Sequence, residues 1–275
     1  MPFHIRKGTQ AMGDTDKVVL VAGAGSSAPG WSIGKATSVL IAQSGAKVIA
    51  LDCHADAARA TAQEIERIGG TCLPLQGDIT RPEEMDRVVK VATERFGPIS
   101  TLIANAGIGK TGGIQETSVA DLQRIQQTNV ESLLLLSKRL IPDMIERGAG
   151  CIVSVASVAG IRYVGYPHLA YSVTKAALIQ MTKLIAHEYA DRNIRANTVI
   201  PGLIDTPRIQ KNVAAVFSSS SDMDEVRKKR DAQVPMRRMG TAWEVAHAIA
   251  FLASDQASYI TGTELIVDGG LTGKY

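Results

Sequence analysis

Tyr171 and Lys175 stand four residues apart, a spacing that puts two side chains on one face of a helix. A free phenol holds its proton to about pH 10, too firmly for a base at neutral pH, and a neighbouring ammonium favours the phenolate. Such a pair is a candidate general acid–base. Tyrosine and lysine also meet at this spacing by chance, as a packing pair, so the surroundings must decide. Ser157 lies fourteen residues before Tyr171 in Ser154-Val155-Ala156-Ser157-Val158-Ala159-Gly160, and Asn129 lies upstream in Thr128-Asn129-Val130.

The elements that must position these residues follow from alternating patterns along the chain. Val18 to Val21, Lys47 to Leu51, Cys72 to Gln76, Thr101 to Ala104, Cys151 to Val155, Arg195 to Ile200 and Glu264 to Val267 read as strands. Between them run helical stretches, at Ile33 to Ser44, Ala55 to Ile68, Pro82 to Phe96, Val119 to Glu146, Ala170 to Asp191 and Trp243 to Leu252, with two shorter pieces in Pro207 to Arg230. Seven strands separated by helices predict a doubly wound parallel seven-stranded sheet of the Rossmann kind, covered on both faces, in one domain over residues 16–275. Right-handed crossovers then bring ligands to the carboxyl ends of the strands.

Those strand ends carry a second chemistry. Gly23-Ala24-Gly25 follows the first strand and leads into a helix, as a pyrophosphate requires: the backbone approaches closely and N–H groups face the anion. A glycine turn can also end a strand for structural reasons alone. Asp52 ends the second strand, where a carboxylate accepts from the adenosine ribose hydroxyls and repels a 2′-phosphate. With no Arg or Lys in the glycine turn or directly after Asp52, the expected cofactor is NAD. Asp78, in Gly77-Asp78-Ile79, can accept from the adenine amino group, and Asn105-Ala106-Gly107 lets the backbone pass close to the cofactor. Their register at successive strand ends is the informative fact.

With Pro201-Gly202 after the sixth strand and Asp268-Gly269-Gly270 after the last, the set resembles the short-chain dehydrogenase/reductase family over residues 16–272. The resemblance implies that Tyr171 exchanges a proton with the substrate oxygen and that Lys175 holds the nicotinamide ribose and favours the phenolate. It implies that Ser157 hydrogen-bonds the substrate oxygen, with Ser154 a weaker candidate, and that Asn129 holds a water linking Lys175 to solvent. Ile204 and Thr206 would border the carboxamide end of the cofactor. Residues 207–235 would form a lid over substrate, and the apolar Val213, Ala214, Val216, Phe217 and Met223 there suggest a hydrophobic or alicyclic substrate. The family habit also implies a homotetramer, to which Ile179, Met181 and Leu184 would be suited.

One departure from the family pattern is an elongated glycine turn, with Gly23 and Gly34 eleven positions apart. Ser32 and Ile33 are expected to supply backbone contacts at the helix start, and Trp31 to cap the adenine side or pack on the surface. Such turns resemble the enoyl reductase branch, but where that branch sets its tyrosine this chain has His168. The expected activity is therefore NAD-dependent oxidation of a secondary alcohol, or the reverse. An NADPH-dependent 3-oxoacyl reductase is the alternative that Asp52 opposes, and a non-catalytic binding protein is the one that Ser157, Tyr171 and Lys175 oppose. His168, Tyr163 and Tyr166 could line the substrate pocket or pack a surface loop, and His187 and Glu188 read as exposed or subunit contacts.

Composition excludes several other classes. The 275 residues are 45% hydrophobic and 21% charged with a net charge of +3 spread along the chain, unlike a nucleic-acid-binding surface. The densest basic run, Arg227 to Arg230, reads as a solvated helix face. No apolar run reaches the ~18 residues of a membrane span. Cys53, Cys72 and Cys151 lack metal-ligand spacing, and no metal is expected; free thiols suit a reducing, cytoplasmic setting. Residues 1–15 are expected to form a flexible arm, and Ser218 to Ser221 a mobile loop.

Overall fold

The computed structural model describes residues 16–209 and 223–274. The expected arm, the serine run and the apolar residues Val213 to Phe217 lie outside the described residues.

Seven parallel strands form one sheet: β1 (Val18–Ala22), β2 (Lys47–Asp52), β3 (Thr71–Gln76), β4 (Thr101–Ala104), β5 (Gly150–Val155), β6 (Ile194–Pro201) and β9 (Glu264–Val267). Their order is β3-β2-β1-β4-β5-β6-β9. The chain winds outward from β1 through β2 to β3, then crosses back to place β4 on the other side of β1. That reversal opens a crevice at the carboxyl ends of β1 and β4, where open sheets of this kind bind ligands. A short pair, β7 (Ile204–Asp205) and β8 (Gly240–Thr241), lies apart from the main sheet; two-residue strands leave no periodicity to read in a sequence.

Alternation along the strands builds two cores. Leu20, Leu102 and Ile152 face α3 (Pro82–Phe96), α5 (Ser132–Arg147) and α6 (Leu169–Tyr189). Val19, Val21, Val48 and Val153 face α1 (Ile33–Gln43), α2 (Ala55–Arg67) and α8 (Ala242–Ala253). Successive strand side chains point to opposite faces, so a sheet covered on both sides needs apolar residues at every position. All five residues of β1 are buried accordingly. In α5, Leu133, Leu136 and Leu140 are fully buried at helical spacing, each contributing about 1.5–3 kcal/mol of apolar burial.

The long helical region differs from its expected form in one respect. Between α4 (Val119–Gln126) and α5 the helix widens into a π turn at Gln127–Glu131. Such bulges are rare, and they rotate the residues they contain relative to an unbroken α-helix. The rotated stretch contains Asn129.

Candidate active site

Two adjoining cavities open at the carboxyl ends of the strands. The first is a cleft of about 580 Å³ whose walls include Gly23, Ser32, Ile33, Asp52, Asp78, Ile79, Asn105, Ala106, Gly107 and Thr206. Gly23 has φ +76°, and a Cβ there would lie 2.7 Å from Ala106 Cα. Both facts require glycine. The Asn105 side-chain amide donates to the Gly23 carbonyl at 2.8 Å. Ser32 is the N-cap of α1: its hydroxyl accepts from Lys35 N–H at 3.0 Å and donates to the Gly25 carbonyl at 2.6 Å. One side chain thus ties the elongated turn back onto its own beginning. Trp31 is not among the walls of the cleft; it packs against Trp243 in a tilted pair with ring centroids 4.7 Å apart.

Asp52 is held by two backbone N–H groups, from Gly25 at 2.9 Å and His54 at 3.0 Å, one to each carboxylate oxygen. The carboxylate is fixed in place with lone pairs left over. Asp78 accepts from the Thr80 N–H and hydroxyl. Cleft size, the glycine approach at Gly23, the helix N-terminus at Ser32 and the acid at the end of β2 together fit a dinucleotide.

The second cavity, about 160 Å³, is lined by Ser157, Tyr171, Lys175, Pro201, Gly202, Ile204 and Thr206 among others. Tyr171 and Lys175 lie one turn apart in α6, with the lysine nitrogen 5.7 Å from the tyrosine ring centre. Lys175 is 2% exposed, and its Nζ donates to the Val155 carbonyl at 2.7 Å. Burial, and then the Arg208 guanidinium, push its pKa down to about 7. A Cβ on Gly107 would lie 3.2 Å from both Lys175 Nζ and Asn129 Oδ1, so a larger residue there would crowd both groups. Asn129 is 2% exposed. Its Oδ1 accepts from Ile108 N–H at 2.8 Å, and its Nδ2 donates to the Ile108 carbonyl and the Thr174 hydroxyl. The π turn aims Asn129 at this loop rather than along the helix surface.

The two serines of β5 and its following turn separate cleanly. Ser154 is fully buried and shares hydrogen bonds with Thr182 and Thr198, a structural network inside the sheet layer. Ser157 lines the cavity, where its hydroxyl accepts from Ala159 N–H at 3.2 Å.

Four cavity residues were left open or missed by sequence reasoning. His168 stacks on Tyr171, with ring centroids 4.5 Å apart, and neither ring nitrogen has a hydrogen-bond partner among the described residues. Burial, then Arg208, lowers its pKa to about 4. Tyr166 is beside it, with centroids 5.6 Å apart, whereas Tyr163 is exposed. Arg208 holds its guanidinium 5.4 Å from the Tyr171 ring centre. Arg230 corrects the reading of its basic run as a solvated face: it is 5% exposed, and it lines the cavity. In α7 (Met223–Asp231) it lies four residues after buried Val226, and that shared face was the available signal. His187 and Glu188 are exposed as expected.

Among the described residues no helix is long and apolar enough to cross a membrane. A family model described as enoyl-(acyl carrier protein) reductase matches residues 27–272. An uncharacterized oxidoreductase of Thermotoga maritima is 38% identical over 93% of this chain and 97% of its own length. A cyclohexanol dehydrogenase of an Acinetobacter species is 35% identical over 94% of this chain and 96% of its own. The crystal structure of a Burkholderia xenovorans protein described as a putative short-chain dehydrogenase/reductase superposes with a TM-score of 0.89 at 36% identity, covering 95% and 98% of the two chains.

Proposed function

Because the chain belongs to the short-chain dehydrogenase/reductase family, whose members use a nicotinamide cofactor, we propose that it moves hydride between NAD and a secondary alcohol or its ketone. The observation that carries this reading is the junction of the two cavities. Tyr171, Ser157 and Lys175 line one, the dinucleotide-shaped cleft is the other, and Ile33, Asn105, Thr206 and Arg208 border both.

The nicotinamide, when bound, takes up or gives the hydride. Tyr171 accepts the alcohol proton at its phenolic oxygen in oxidation and returns it in reduction. Ser157 donates to the substrate oxygen as negative charge gathers there. Lys175 holds the nicotinamide ribose and favours the phenolate. Asn129 fixes the Ile108 backbone and orders a water toward Lys175. On the adenosine side Gly23, Ser32 and Ile33 receive the pyrophosphate, Asp52 the ribose hydroxyls, and Asp78 and Ile79 the adenine. Asn105, Ala106 and Gly107 border the cofactor along its length. Pro201, Gly202, Ile204 and Thr206 border its carboxamide end. Asp52 favours NAD over NADP and argues against an NADPH-dependent 3-oxoacyl reductase. The Tyr171–Lys175 spacing argues against enoyl reduction.

Val158, Val164, Leu203, Ile204 and Ile209 line the second cavity and suit the apolar body of a small alcohol. Of the three residues expected to suit assembly, Ile179 is buried in the core and Met181 packs against it, while Leu184 is exposed; with exposed Val173 on α6 and Ile266 on β9, it supports assembly into a homotetramer through long helices and last strands. Unpaired cysteines favour the cytoplasm.

An oxidation screen of secondary alcohols, following NADH formation, tests the reading. Tyr171→Phe is expected to lower turnover by roughly three orders of magnitude or more while NAD binding persists. Retained turnover refutes the acid–base role, and a clear preference for NADP refutes the reading of Asp52.

A further inference from the structure

The described lining of the second cavity has an unbalanced charge. Lys175, Arg208 and Arg230 face it, and no aspartate or glutamate does. Lys175 already donates to the Val155 carbonyl, and the proposed chemistry uses it. The two arginines have no part in that chemistry.

Arg230 is almost wholly buried. Its Nε meets the Met239 sulfur at 3.2 Å, and its guanidinium shares a hydrogen bond with the Tyr166 hydroxyl. Asp205, which also pairs with Arg227 at 3.4 Å, and Asp231, which accepts from Met239 N–H at 2.7 Å, favour the charged form of Arg230. Arg208 forms no ion pair with an acidic side chain among the described residues. Both arginines line the cavity together with Tyr166. Arg208 also disfavours a proton on Lys175 and on His168. The Arg208 charge, held in a half-closed and largely apolar site, is unfavourable until an anion joins it.

We propose that Arg208 and Arg230 form an anion-binding wall and that the substrate is a hydroxy acid or oxo acid: an apolar body with the reacting carbon at Tyr171 and a carboxylate on this wall. A guanidinium offers paired N–H donors that match a carboxylate edge. Tyr166, held by Arg230, adds a hydroxyl beside it. The placement of Arg208 against the Tyr171 ring brings the carboxylate within a few bonds of the reacting carbon. This rests on the dehydrogenase reading for the word substrate, but not for the anion site itself.

Two measurements keep the two ideas apart. The first is calorimetric titration of the protein with NADH present, using cyclohexanecarboxylate and its neutral counterpart cyclohexanol as probes. The carboxylate is expected to bind at least tenfold more tightly, and Arg208→Gln to reduce that ratio at least tenfold. Equal affinities, or a ratio unmoved in both Arg208→Gln and Arg230→Lys, overturn the anion wall whatever the enzyme oxidises. The second is kcat/KM with NAD for matched pairs of secondary alcohols with and without a carboxylate, such as 3-hydroxybutyrate and 2-butanol. Preference for the acid, diminished at least tenfold in Arg208→Gln, is expected. Preference for the neutral alcohol overturns this inference and leaves the dehydrogenase reading standing. Arg208 also borders the dinucleotide cleft. Equal losses for both alcohols with a raised KM for NAD would assign it to the cofactor and overturn its part in the wall.

Discussion

The cleft proposed for the dinucleotide and the cavity proposed for the substrate share Asn105 and Thr206, yet they are built on different plans. The cleft is made of strand ends taken in order: Gly23 after β1, Asp52 after β2, Asp78 after β3, Asn105 after β4. Much of what faces the ligand there is backbone, or side chains pinned by backbone, as Asp52 is by Gly25 and His54. The cavity gathers side chains from separate places in the chain: Tyr171 from α6, Tyr166 and His168 from the loop before it, Arg208 from the segment after β7, and Arg230 from α7. Its floor, the Tyr171–Lys175 turn of α6, packs directly on the sheet, whereas its walls depend on which side chain occupies each position. A scaffold-built site fixes the cofactor class, and a side-chain-built site leaves substrate choice open to single substitutions.

Perturbing each part in turn sharpens that contrast. After the loss expected for Tyr171→Phe, the largest effect is expected at Ser157, which lines the cavity just after β5. Ser157→Ala should lower kcat by about 10²–10³ with little change in KM for NAD, since a donor to a developing oxyanion is worth roughly 2.7–4 kcal/mol. Steady-state kinetics with both substrates varied would check it, and a loss confined to KM would place Ser157 outside the chemistry. An intermediate effect is expected in the cleft. Asp52→Asn keeps an acceptor but removes the charge, so the preference for NAD over NADP should shrink by about 10- to 100-fold, one to two steps of 1.4 kcal/mol. If that ratio stays unchanged, nucleotide choice does not rest on Asp52.

The smallest effect concerns stability against acid. The pKa of His168 is lowered to about 4, below its ordinary 6.5, by burial and then by Arg208. Between those values the unfolded chain binds a proton that the folded chain refuses, so stability falls as pH drops from 6.5 to 4 and levels off below it. His168→Phe retains a ring against Tyr171 and removes this titration. The difference in unfolding free energy between pH 7 and pH 4.5 should shrink by about 1–3 kcal/mol. Denaturant melts at the two pH values measure it, and equal differences in both proteins would remove His168 from the account.

The same contrast explains what could be read in advance. Strands buried on both faces announce themselves as β-branched runs, and glycine and aspartate at their ends carry a register, so the sheet and the cleft were legible. Lys175 was legible because its four-residue offset from Tyr171 is a property of any helix. Arg230 was not: a basic run after acidic residues has the composition of a solvated face, and only packing of Val226 and Arg230 on one side of α7 reverses that. The π turn was equally hidden, because one additional residue in a helical turn alters no composition. Yet it determines where Asn129 points. His168 belongs to a loop, where no periodicity distinguishes a cavity wall from a surface.

The Trp31–Trp243 contact has a consequence of an optical kind. The chain has two tryptophans, and both lie in this single pair, with rings 4.7 Å apart and inclined at 55°. Trp31 directly precedes Ser32, the residue that ties the elongated turn to the helix start in the cleft. Lys35 lies over its ring at 4.8 Å. All indole emission therefore originates at one spot on the rim of the cleft, beside a fixed positive charge. The protein thereby has an intrinsic probe of the turn's conformation, with no second indole elsewhere to blur the signal.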